Sequence, residues 1–420
     1  MSIQPYPINE TRKEIVFIRH AESQANHEGF WNGRTDGPLS ETGEKSLEAL
    51  GRRLSRWHFD AVISSPLSRA ARTARSFAKD VVIDEAFTEI DLGSWEGMLF
   101  TEVQEKHGEE LKAALEKRNL PMGGTGESIE QVAARAASGV DRVFHEMSDG
   151  ERVAVVTHGG LMQSVLHRHL VGGRRAHAFA SNTGITRVIH QYGQMRLASF
   201  NDTGHLGPRS SLVEAHLASG DKVVALIRHG QTQANVERRW QGRGDWDLDE
   251  VGHRQAEALG EWYGRHETVY TSPLKRAAST ASRVALNGVV PVEDFMEIHM
   301  GEWEGLTTDE IAERWPDVME QIYRDGLDLP RGSTGETWAQ LTARFAAAMA
   351  ALEHDADGLT LAVAHGGAIR SYLSSVIQSN DTHSQSLYTP TNTSITHIAF
   401  TERGPEILDF AVSTHLETLQ

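Results

Sequence analysis

The fold is decided by the stretch EIVFIRHAESQAN at residues 14–26, which returns as VVALIRHGQTQAN at residues 223–235. In both places an apolar run that is typical of a buried strand ends in Arg-His, and a polar segment follows. The spacing between the two stretches is 209 residues. A repeat of this length indicates a duplicated domain, because about 200 residues can bury a hydrophobic core of their own.

Further repeats follow in the same order in both halves of the chain. The offsets between paired motifs stay between 207 and 210 residues, so the connecting loops hardly change length. We predict domain 1 at residues 1–207, a linker at 208–220 and domain 2 at 221–420. The pairs are SSPLSRAARTA with TSPLKRAASTA, EIDLGSWEG with EIHMGEWEG, VVTHGG with AVAHGG, and SNTGIT with TNTSIT.

Composition excludes several classes of function. The 420 residues contain no cysteine, which rules out disulfides, thiolate-bound metals and a cysteine nucleophile. The net charge is −17, and residues 211–420 carry 31 acidic against 16 basic residues, so nucleic acid is not an expected partner. No signal peptide and no apolar run of about 18 residues is visible, which predicts a cytoplasmic protein without a membrane segment.

Short β-rich runs alternate with helical periods in each half. This alternation predicts an α/β fold: two tandem three-layer αβα domains, each with a mostly parallel sheet and helices on both faces. The segment ITRVIHQYGQMRLASF predicts a hairpin with its turn at Gly193, which adds an antiparallel edge to the first sheet.

Polar residues follow the predicted strands where ligands of open α/β sheets bind. Arg19-His20, Ser64-Ser65 and His158 come after three strands of the first copy, and the second copy repeats the pattern with Arg228-His229, Thr271-Ser272 and His365. Arg69 and Arg276 fall near predicted helix starts. A neutral imidazole can attack phosphorus when guanidinium groups neutralise the phosphoryl oxygens, so the set favours phosphoryl chemistry.

The histidines have two other readings. A lone histidine at a strand end is usually a packed or capping residue, but two per copy beside an arginine favour a functional site. Histidine clusters also bind metals, yet no HxH or HxxxH pair recurs in both copies. We therefore expect no metal and no cofactor.

The ordered motifs RHxxxxxN, SPLxRAxxTA, ExxxGxWEG, HGG and NTxIT make both copies resemble the histidine phosphatase superfamily, which includes cofactor-dependent phosphoglycerate mutase. The phosphatase branch is the closer likeness. It implies a phosphoric monoester hydrolase of the histidine acid type that acts on a small phosphorylated metabolite through a phosphohistidine. The implied roles are nucleophile for His20 and His229, general acid for Glu89 and Glu297, second histidine for His158 and His365, and phosphate binding for Arg19, Asn26, Arg69, Arg228, Asn235 and Arg276.

The two copies differ around this shared set. Ala21 stands where the second copy has Gly230, which predicts a tighter first pocket. Arg72 becomes Ser279, and the acidic balance of the second half predicts that the second site attracts anions less well. The segments at 97–123 and 305–332 differ strongly, so they are expected to set different substrate preferences.

Several alternatives stay open. Two competent sites are the main expectation, with one catalytic copy and one that binds, regulates or dimerises as the rival. Mutase-type transfer is less favoured, because only 69 and 68 residues separate the acid from the second histidine. A non-catalytic phosphate-binding module is the third alternative. A homodimer and intramolecular pairing of the domains are both compatible with the duplication.

Overall fold

The computed structural model describes residues 12–169, 177–191, 193–355, 358–377 and 386–419. The chain divides into two compact units, Met1–Val171 with Phe179–Leu206 and Gly172–Ala178 with Gly207–Gln420. The predicted limits 1–207, 208–220 and 221–420 remain a proposal, and their residues 1–11 and 420 lie outside the described part.

Unit 1 alternates strands with helices. Its strands are β1 Lys13–Arg19, β2 Ala61–Ser64, β3 Val82–Ile83, β4 Arg152–Thr157, β5 Ile185–Gln191 and β6 Gln194–Asp202. Its helices are α1 Gln24–Glu28, α2 Glu41–Leu54, α3 Ser68–Arg75, α4 Phe100–Lys117, α5 Ile129–Glu146 and α6 Gly159–His169. Short 3₁₀ helices lie at Glu85–Phe87, Gly93–Trp95 and Met122–Gly124.

Unit 2 repeats this order after an additional helix, α7 Ser211–Ala218. Its strands are β7 Lys222–Arg228, β8 Val269–Thr271, β9 Val289–Pro291, β10 Leu359–Ala364, β11 Ile395–Thr401 and β12 Gly404–Ile407. Its helices are α8 Gln233–Val236, α9 Glu250–Tyr263, α10 Lys275–Val284, α11 Thr308–Arg314, α12 Pro316–Tyr323, α13 Trp338–Asp355 and α14 Gly366–Val376. Its 3₁₀ helices lie at Glu293–Phe295, Gly301–Trp303 and Thr414–Thr418.

Among the described residues, each unit forms one six-stranded sheet. The strand orders are β3-β2-β4-β1-β5-β6 and β12-β11-β7-β10-β8-β9. In unit 1, β3, β2, β4 and β1 run parallel, and β5 and β6 add an antiparallel edge. The hairpin predicted around Gly193 is confirmed, and residue 192 at its tip lies outside the described residues.

Helices cover both faces of each sheet, which confirms the predicted fold class. On β1, Val16 and Ile18 pack in one core with Leu50 of α2 and Ala70 of α3. The neighbouring Ile15 is also fully buried, and it points to the opposite face because side chains alternate along a strand. The strands are apolar on both sides because helices cover both.

The segment predicted as the linker is helical. Ser210 caps the N-terminus of α7 by accepting the backbone N–H of Val213. Val213 is fully buried in a core that also contains Val223 of β7 and Ala178. Ala178 belongs to unit 2, where its N–H donates to the carbonyl of Ile407 at 2.9 Å. Burial of an apolar face explains why this stretch forms a helix within unit 2.

The most divergent segments of the two units have different helical structures. In unit 1 this segment is α4, which is kinked at His107. In unit 2 it is split into α11 and α12, and Pro316 stands at the first position of α12, where a proline fits without losing a hydrogen bond. No helix within the described ranges is long and apolar enough to cross a membrane.

Candidate active sites

The ends of two parallel strands bring the predicted histidines of unit 1 together. Arg19 pairs with Thr157 at the ends of β1 and β4, and the backbone N–H of His20 donates to the Thr157 carbonyl at 2.9 Å. His158 follows Thr157 directly, so the two imidazoles emerge side by side, with ring centroids 5.0 Å apart. The sheet register therefore sets the distance between them.

The protonation of His20 follows from its hydrogen bond. Its Nδ1 lies 2.7 Å from the carbonyl oxygen of Ala21. A carbonyl only accepts, so Nδ1 carries the hydrogen and the lone pair is on Nε2. Burial and the guanidinium groups of Arg69 and Arg19 hold the pKa of His20 well below 6.5. His20 is thus a neutral imidazole at physiological pH, with an unprotonated Nε2.

The second histidine, His158, is held by a serine. Its Nε2 lies 2.7 Å from Ser65 Oγ, just beyond the end of β2. His158 is fully buried, and burial together with the nearby His20 holds its pKa well below 6.5. The segment of His20 is fixed from another side by Asn182, whose Nδ2 donates to the His20 carbonyl at 2.9 Å. Ser65 and Asn182 belong to recognised sequence motifs, but the motifs alone indicate no role for either residue.

Two arginines lie near His20, and main-chain carbonyls orient both. Arg69 is the second residue of α3, and its guanidinium donates to the carbonyls of Gly33 at 2.6 Å and Thr35 at 2.9 Å. Arg19 donates to the carbonyl of Ala180 at 2.7 Å. Within the described residues, the buried Nε of Arg19 has no hydrogen-bond partner. Arg69 Nη1 also lies 3.8 Å from Asp36 Oδ1, a long ion pair. The shorter contacts of both guanidinium groups are to neutral carbonyls, which do not compensate a positive charge.

Glu89 is positioned by the start of α6. Its carboxylate accepts the backbone N–H groups of Gly160 and Leu161, both at 3.0 Å. A Cβ on Gly160 would lie 2.8 Å from Glu89 Oε1, which is too close for ordinary packing. This contact explains the second glycine of the HGG motif, because only glycine lets the carboxylate reach the helix N-terminus.

Asn26 has a structural contact in unit 1. Its Oδ1 accepts the Ser23 N–H at 3.3 Å, and Ser23 Oγ accepts the Asn26 N–H at 3.2 Å, so the pair forms a capping box for α1. In unit 2, Asn235 caps α8 in the same way. Its Oδ1 also accepts from Asn392 at 3.4 Å. A phosphate contact of either asparagine stays a prediction.

Unit 2 repeats the histidine geometry. His229 and His365 have ring centroids 5.1 Å apart. His229 Nδ1 lies 2.7 Å from the carbonyl of Gly230, and His365 Nε2 lies 2.8 Å from Ser272 Oγ. Burial and neighbouring arginines hold the pKa of both histidines well below 6.5. The second site is therefore assembled as completely as the first.

The acid and the arginines of unit 2 also match, with one difference. Glu297 accepts the Gly367 N–H at 2.8 Å, and Arg228 donates to the Pro390 carbonyl at 2.5 Å. Arg276 donates to the carbonyls of Gly242 and Gly244, as Arg69 does to their counterparts. In addition, its Nε donates to His365 Nδ1 at 3.1 Å. Nδ1 of His365 is therefore an acceptor, and Nε2 carries the hydrogen that points at the serine.

Two residues that were expected to make the pockets different, Arg72 and Ala21, have contacts away from the pocket. Arg72 forms an ion pair with Glu44 on α2 at 2.8 Å, so its charge is compensated there and its replacement in copy 2 takes little from the site. The methyl of Ala21 is fully buried. At the equivalent Gly230, a Cβ would lie 2.7 Å from the Gly252 carbonyl, which places this methyl against the following helix and away from the pocket.

The sequence profile of the histidine phosphatase superfamily, branch 1, matches residues 15–203 and again residues 224–413. The two matches together span most of the chain. The chain therefore belongs to the histidine phosphatase superfamily and contains two tandem copies of its domain. The designation "histidine acid type" in our prediction is the wording of a different family, and this match replaces it.

Individual relatives resemble one copy at a time. The chain is 33% identical over 211 residues to phosphoserine phosphatase 1 of Hydrogenobacter thermophilus, covering 49% of this chain and 99% of that protein. It is 34% identical over 165 residues to a metal-independent phosphoserine phosphatase of Arabidopsis thaliana, covering 37% and 69%. It is 28% identical over 159 residues to a 2,3-bisphosphoglycerate-dependent phosphoglycerate mutase of Cytophaga hutchinsonii, covering 36% and 75%.

Proposed function

We propose that each copy is a metal-independent phosphatase that hydrolyses small phosphomonoesters through a phosphohistidine intermediate. The observation that carries the proposal is the state of His20: its Nδ1 bonds a main-chain carbonyl, and burial together with the nearby charges of Arg69 and Arg19 keeps its pKa low and the ring neutral. His229 has the equivalent bond to the Gly230 carbonyl, and its arginine neighbours are Arg276 and Arg228. This is the state that a nitrogen nucleophile needs.

The first half-reaction transfers the phosphoryl group to the enzyme. Nε2 of His20 attacks phosphorus, an N–P bond forms, and the bond from phosphorus to the leaving oxygen breaks. The electron pair of that bond passes to the leaving oxygen, which takes a proton from Glu89. Arg19 and Arg69 neutralise the phosphoryl oxygens. His158, whose ring centroid lies 5.0 Å from that of His20, contributes a further polar contact.

The second half-reaction releases phosphate. Water attacks the phosphorus of phosphohistidine, Glu89 accepts a proton from that water, and the N–P bond breaks to return neutral His20. The carboxyl group of Glu89 is therefore protonated at the end of the cycle, as it was at the start. His229, Glu297 and His365 perform the same steps in the second copy.

Small phosphomonoesters are the proposed substrate class because the site contacts are built around one phosphoryl group. Two of the relatives are phosphoserine phosphatases by name, which supports hydrolysis of a small phosphorylated metabolite. The most divergent segments of the two copies also differ in structure, with α4 in one unit and α11 with α12 in the other. We therefore expect the two copies to prefer different leaving groups.

Phosphoglycerate mutase-type transfer is the alternative, and the likeness to a bacterial mutase favours considering it. A mutase has to shield its phosphohistidine from water. The segments between acid and second histidine are short in both copies, 69 and 68 residues, which favours hydrolysis. Interconversion of 2- and 3-phosphoglycerate without phosphate release would replace our proposal by this one.

The test is phosphate release from a panel of phosphomonoesters in the presence of EDTA. It compares the wild type, His20→Ala, His229→Ala and the double variant. Turnover that is lost only in the double variant supports two working sites. Loss in one single variant names the catalytic copy and gives the other a binding or regulatory role.

A second readout is independent of the substrate. Rapid quenching with a labelled ester should trap an acid-labile, base-stable phosphoenzyme in the wild type and none in the double variant. Turnover that EDTA abolishes, or that survives in the double variant, contradicts the mechanism. Absence of any phosphate release across the panel would favour a non-catalytic phosphate-binding module.

A further inference from the structure

The glutamate of the WEG motif occurs in both copies, as Glu96 and as Glu304, and the proposed chemistry gives it no task. Glu96 follows the 3₁₀ helix Gly93–Trp95 directly and is partly buried. Its carboxylate contacts the loop at residues 32–35, which also contacts Arg69. This loop therefore connects the WEG glutamate to one of the two arginines near His20.

Glu96 accepts hydrogen bonds from three consecutive residues of the loop. Its Oε1 accepts the Arg34 N–H at 2.8 Å. Its Oε2 accepts the N–H groups of Gly33 and Thr35, both at 3.2 Å, and the Thr35 hydroxyl at 2.8 Å. A Cβ on Gly33 would overlap Glu96 Oε1, so only glycine lets the loop come this close. Consecutive N–H groups that point at one anion fix the path of the loop.

The carbonyl groups of the same loop accept from Arg69. Its guanidinium donates to Gly33 at 2.6 Å, to Thr35 at 2.9 Å and to Asn32 at 3.3 Å. The C=O and N–H of a trans peptide point in opposite directions. The peptide groups 32–33 and 33–34 each accept from Arg69 on one side and donate to Glu96 on the other. Arg69 and Glu96 are thus linked through two shared peptide groups.

The ionisation of both side chains agrees with this link. Burial raises the pKa of Glu96, but the hydrogen bonds from Arg34 and Thr35 outweigh it and hold the pKa below 4.5. Glu96 is therefore a carboxylate at neutral pH, and both of its oxygens accept. Burial lowers the pKa of Arg69, and the negative charge of Glu96 is one of those that oppose this change.

Copy 2 has the same link with fewer bonds. Glu304 accepts the Arg243 N–H at 2.9 Å, and the Gly242 carbonyl of the same peptide group accepts from Arg276 at 2.8 Å. Within the described residues this is the one N–H that the loop of unit 2 gives to Glu304. Gly244 replaces Thr35, so the hydroxyl contact is lost. The first copy therefore depends more on its WEG glutamate than the second.

We propose that Glu96 is a positioning residue, which holds the loop 32–35 in the conformation that orients the guanidinium of Arg69 for the phosphoryl group of the substrate. The inference rests on the proposed function, in which Arg69 binds that group. Glutamine has one accepting oxygen and an amide nitrogen that only donates, so Glu96→Gln would set donors of the loop against a donor. The loop then has to shift, and Arg69 shifts with the carbonyls that orient it.

The test measures kcat/KM for p-nitrophenyl phosphate and the inhibition constant Ki of inorganic phosphate. Both are measured in His229→Ala, so that only the first site turns over. We expect Glu96→Gln to raise Ki about 5-fold to 50-fold, within the range of a charged hydrogen bond. The value of kcat/KM should fall by at least the same factor, because Arg69 holds the phosphoryl group before and during its transfer.

The matched control is Glu151→Gln. The carboxylate of Glu151 also accepts a backbone N–H, that of Ser148 at 2.8 Å, but it lies before β4, and His158 follows the other end of this strand. Ki and kcat/KM should stay within about 2-fold of the reference there. Thr35→Val removes only the hydroxyl contact of Glu96 and should raise Ki about 2-fold to 5-fold.

A double-mutant cycle separates positioning from a general structural role. Lysine keeps the charge of Arg69 but cannot donate to two carbonyls in a fixed fork. With Arg69→Lys in place, Glu96→Gln should change Ki by less than about 3-fold. An undiminished effect in that background would overturn the inference, because Glu96 would then act independently of Arg69. An unchanged Ki in Glu96→Gln alone would overturn it as well. If Glu96→Gln does not fold, Thr35→Val enters the same cycle.

Failure of the proposed function is distinguishable by a measurement without turnover. Calorimetry follows the binding of inorganic phosphate to the chain with Arg276→Ala, which removes the corresponding arginine of the second site. Weaker binding after Glu96→Gln, but not after Glu151→Gln, supports the inference even if no ester is hydrolysed. Equal binding in both variants contradicts it. Phosphate binding that Arg69→Lys leaves unchanged refutes the role of Arg69 in the proposed function, and the inference with it.

Discussion

Replacing Gly160 by alanine should slow the release of poor leaving groups and hardly affect good ones. The new Cβ would lie 2.8 Å from Glu89 Oε1, whereas ordinary contact begins at 3.4 Å. The carboxylate therefore has to move by at least roughly 0.6 Å, away from the backbone N–H groups that position it. Only a leaving group that needs a proton depends on that position.

The size of the effect follows from the rate acceleration that a general acid such as Glu89 contributes. A general acid contributes about 10²- to 10⁴-fold, and a displacement of about 1 Å can cost about 100-fold. We expect kcat/KM for an alkyl phosphate to fall about 10-fold to 100-fold, or about 1.4 to 2.8 kcal/mol of activation free energy. For p-nitrophenyl phosphate, whose leaving group departs unprotonated, the loss should stay below about 3-fold.

The assay measures kcat/KM for both esters in His229→Ala, so that only the first site turns over. Gly108→Ala is the matched control, because a Cβ there meets nothing within 4 Å on helix α4. Alanine favours a helix over glycine, so Gly108→Ala should keep the thermal stability of the wild type. Gly160→Ala should lose some stability, because Glu89 is displaced from two backbone N–H groups. An equal loss for both esters, or an undiminished rate with the alkyl ester, would refute the role of Glu89 as proton donor.

Buried ionisable groups of unit 1 give two further expectations. Burial holds the pKa of His158 well below 6.5, so on acidification the imidazole is protonated in the unfolded chain before it is protonated in the folded one. The free energy of unfolding should therefore decrease as the pH falls below 6.5, by up to about 1.4 kcal/mol per pH unit. Urea titrations at pH 7.5 and 5.5 should show a smaller decrease for His158→Asn. Glu14→Gln should destabilise unit 1 by about 3 to 5 kcal/mol, because this fully buried carboxylate pairs with Arg152 and Arg187. Thermal denaturation would contradict this if the exposed control Glu41→Gln had the same effect.

The sequence predicts the fold and the meeting of the histidines for one physical reason. Parallel strands end at one edge of a sheet, so residues that follow two neighbouring strands come together. The pairing of Arg19 with Thr157 places His20 beside His158 without any information about side chains. Because of the duplication, each motif occurs twice in the chain, so the same arrangement could be expected in both halves.

Side-chain partners between distant elements were not predictable. A serine after a strand has many uses, so Ser65 could be recognised as the partner of His158 only from the 2.7 Å contact. Arg72 was expected near the site, but packing of α3 against α2 pairs it with Glu44.

The backbone hydrogen bonds that His20 and His229 donate to neighbouring strands make it possible to measure the opening of each unit separately. The amide of His20 donates to Thr157, and the amide of His229 donates to Ala364 at 3.0 Å. Each amide can exchange its proton for deuterium only when the centre of its own sheet separates. The exchange rates of the two amides therefore report separately on the opening of unit 1 and of unit 2 within one molecule.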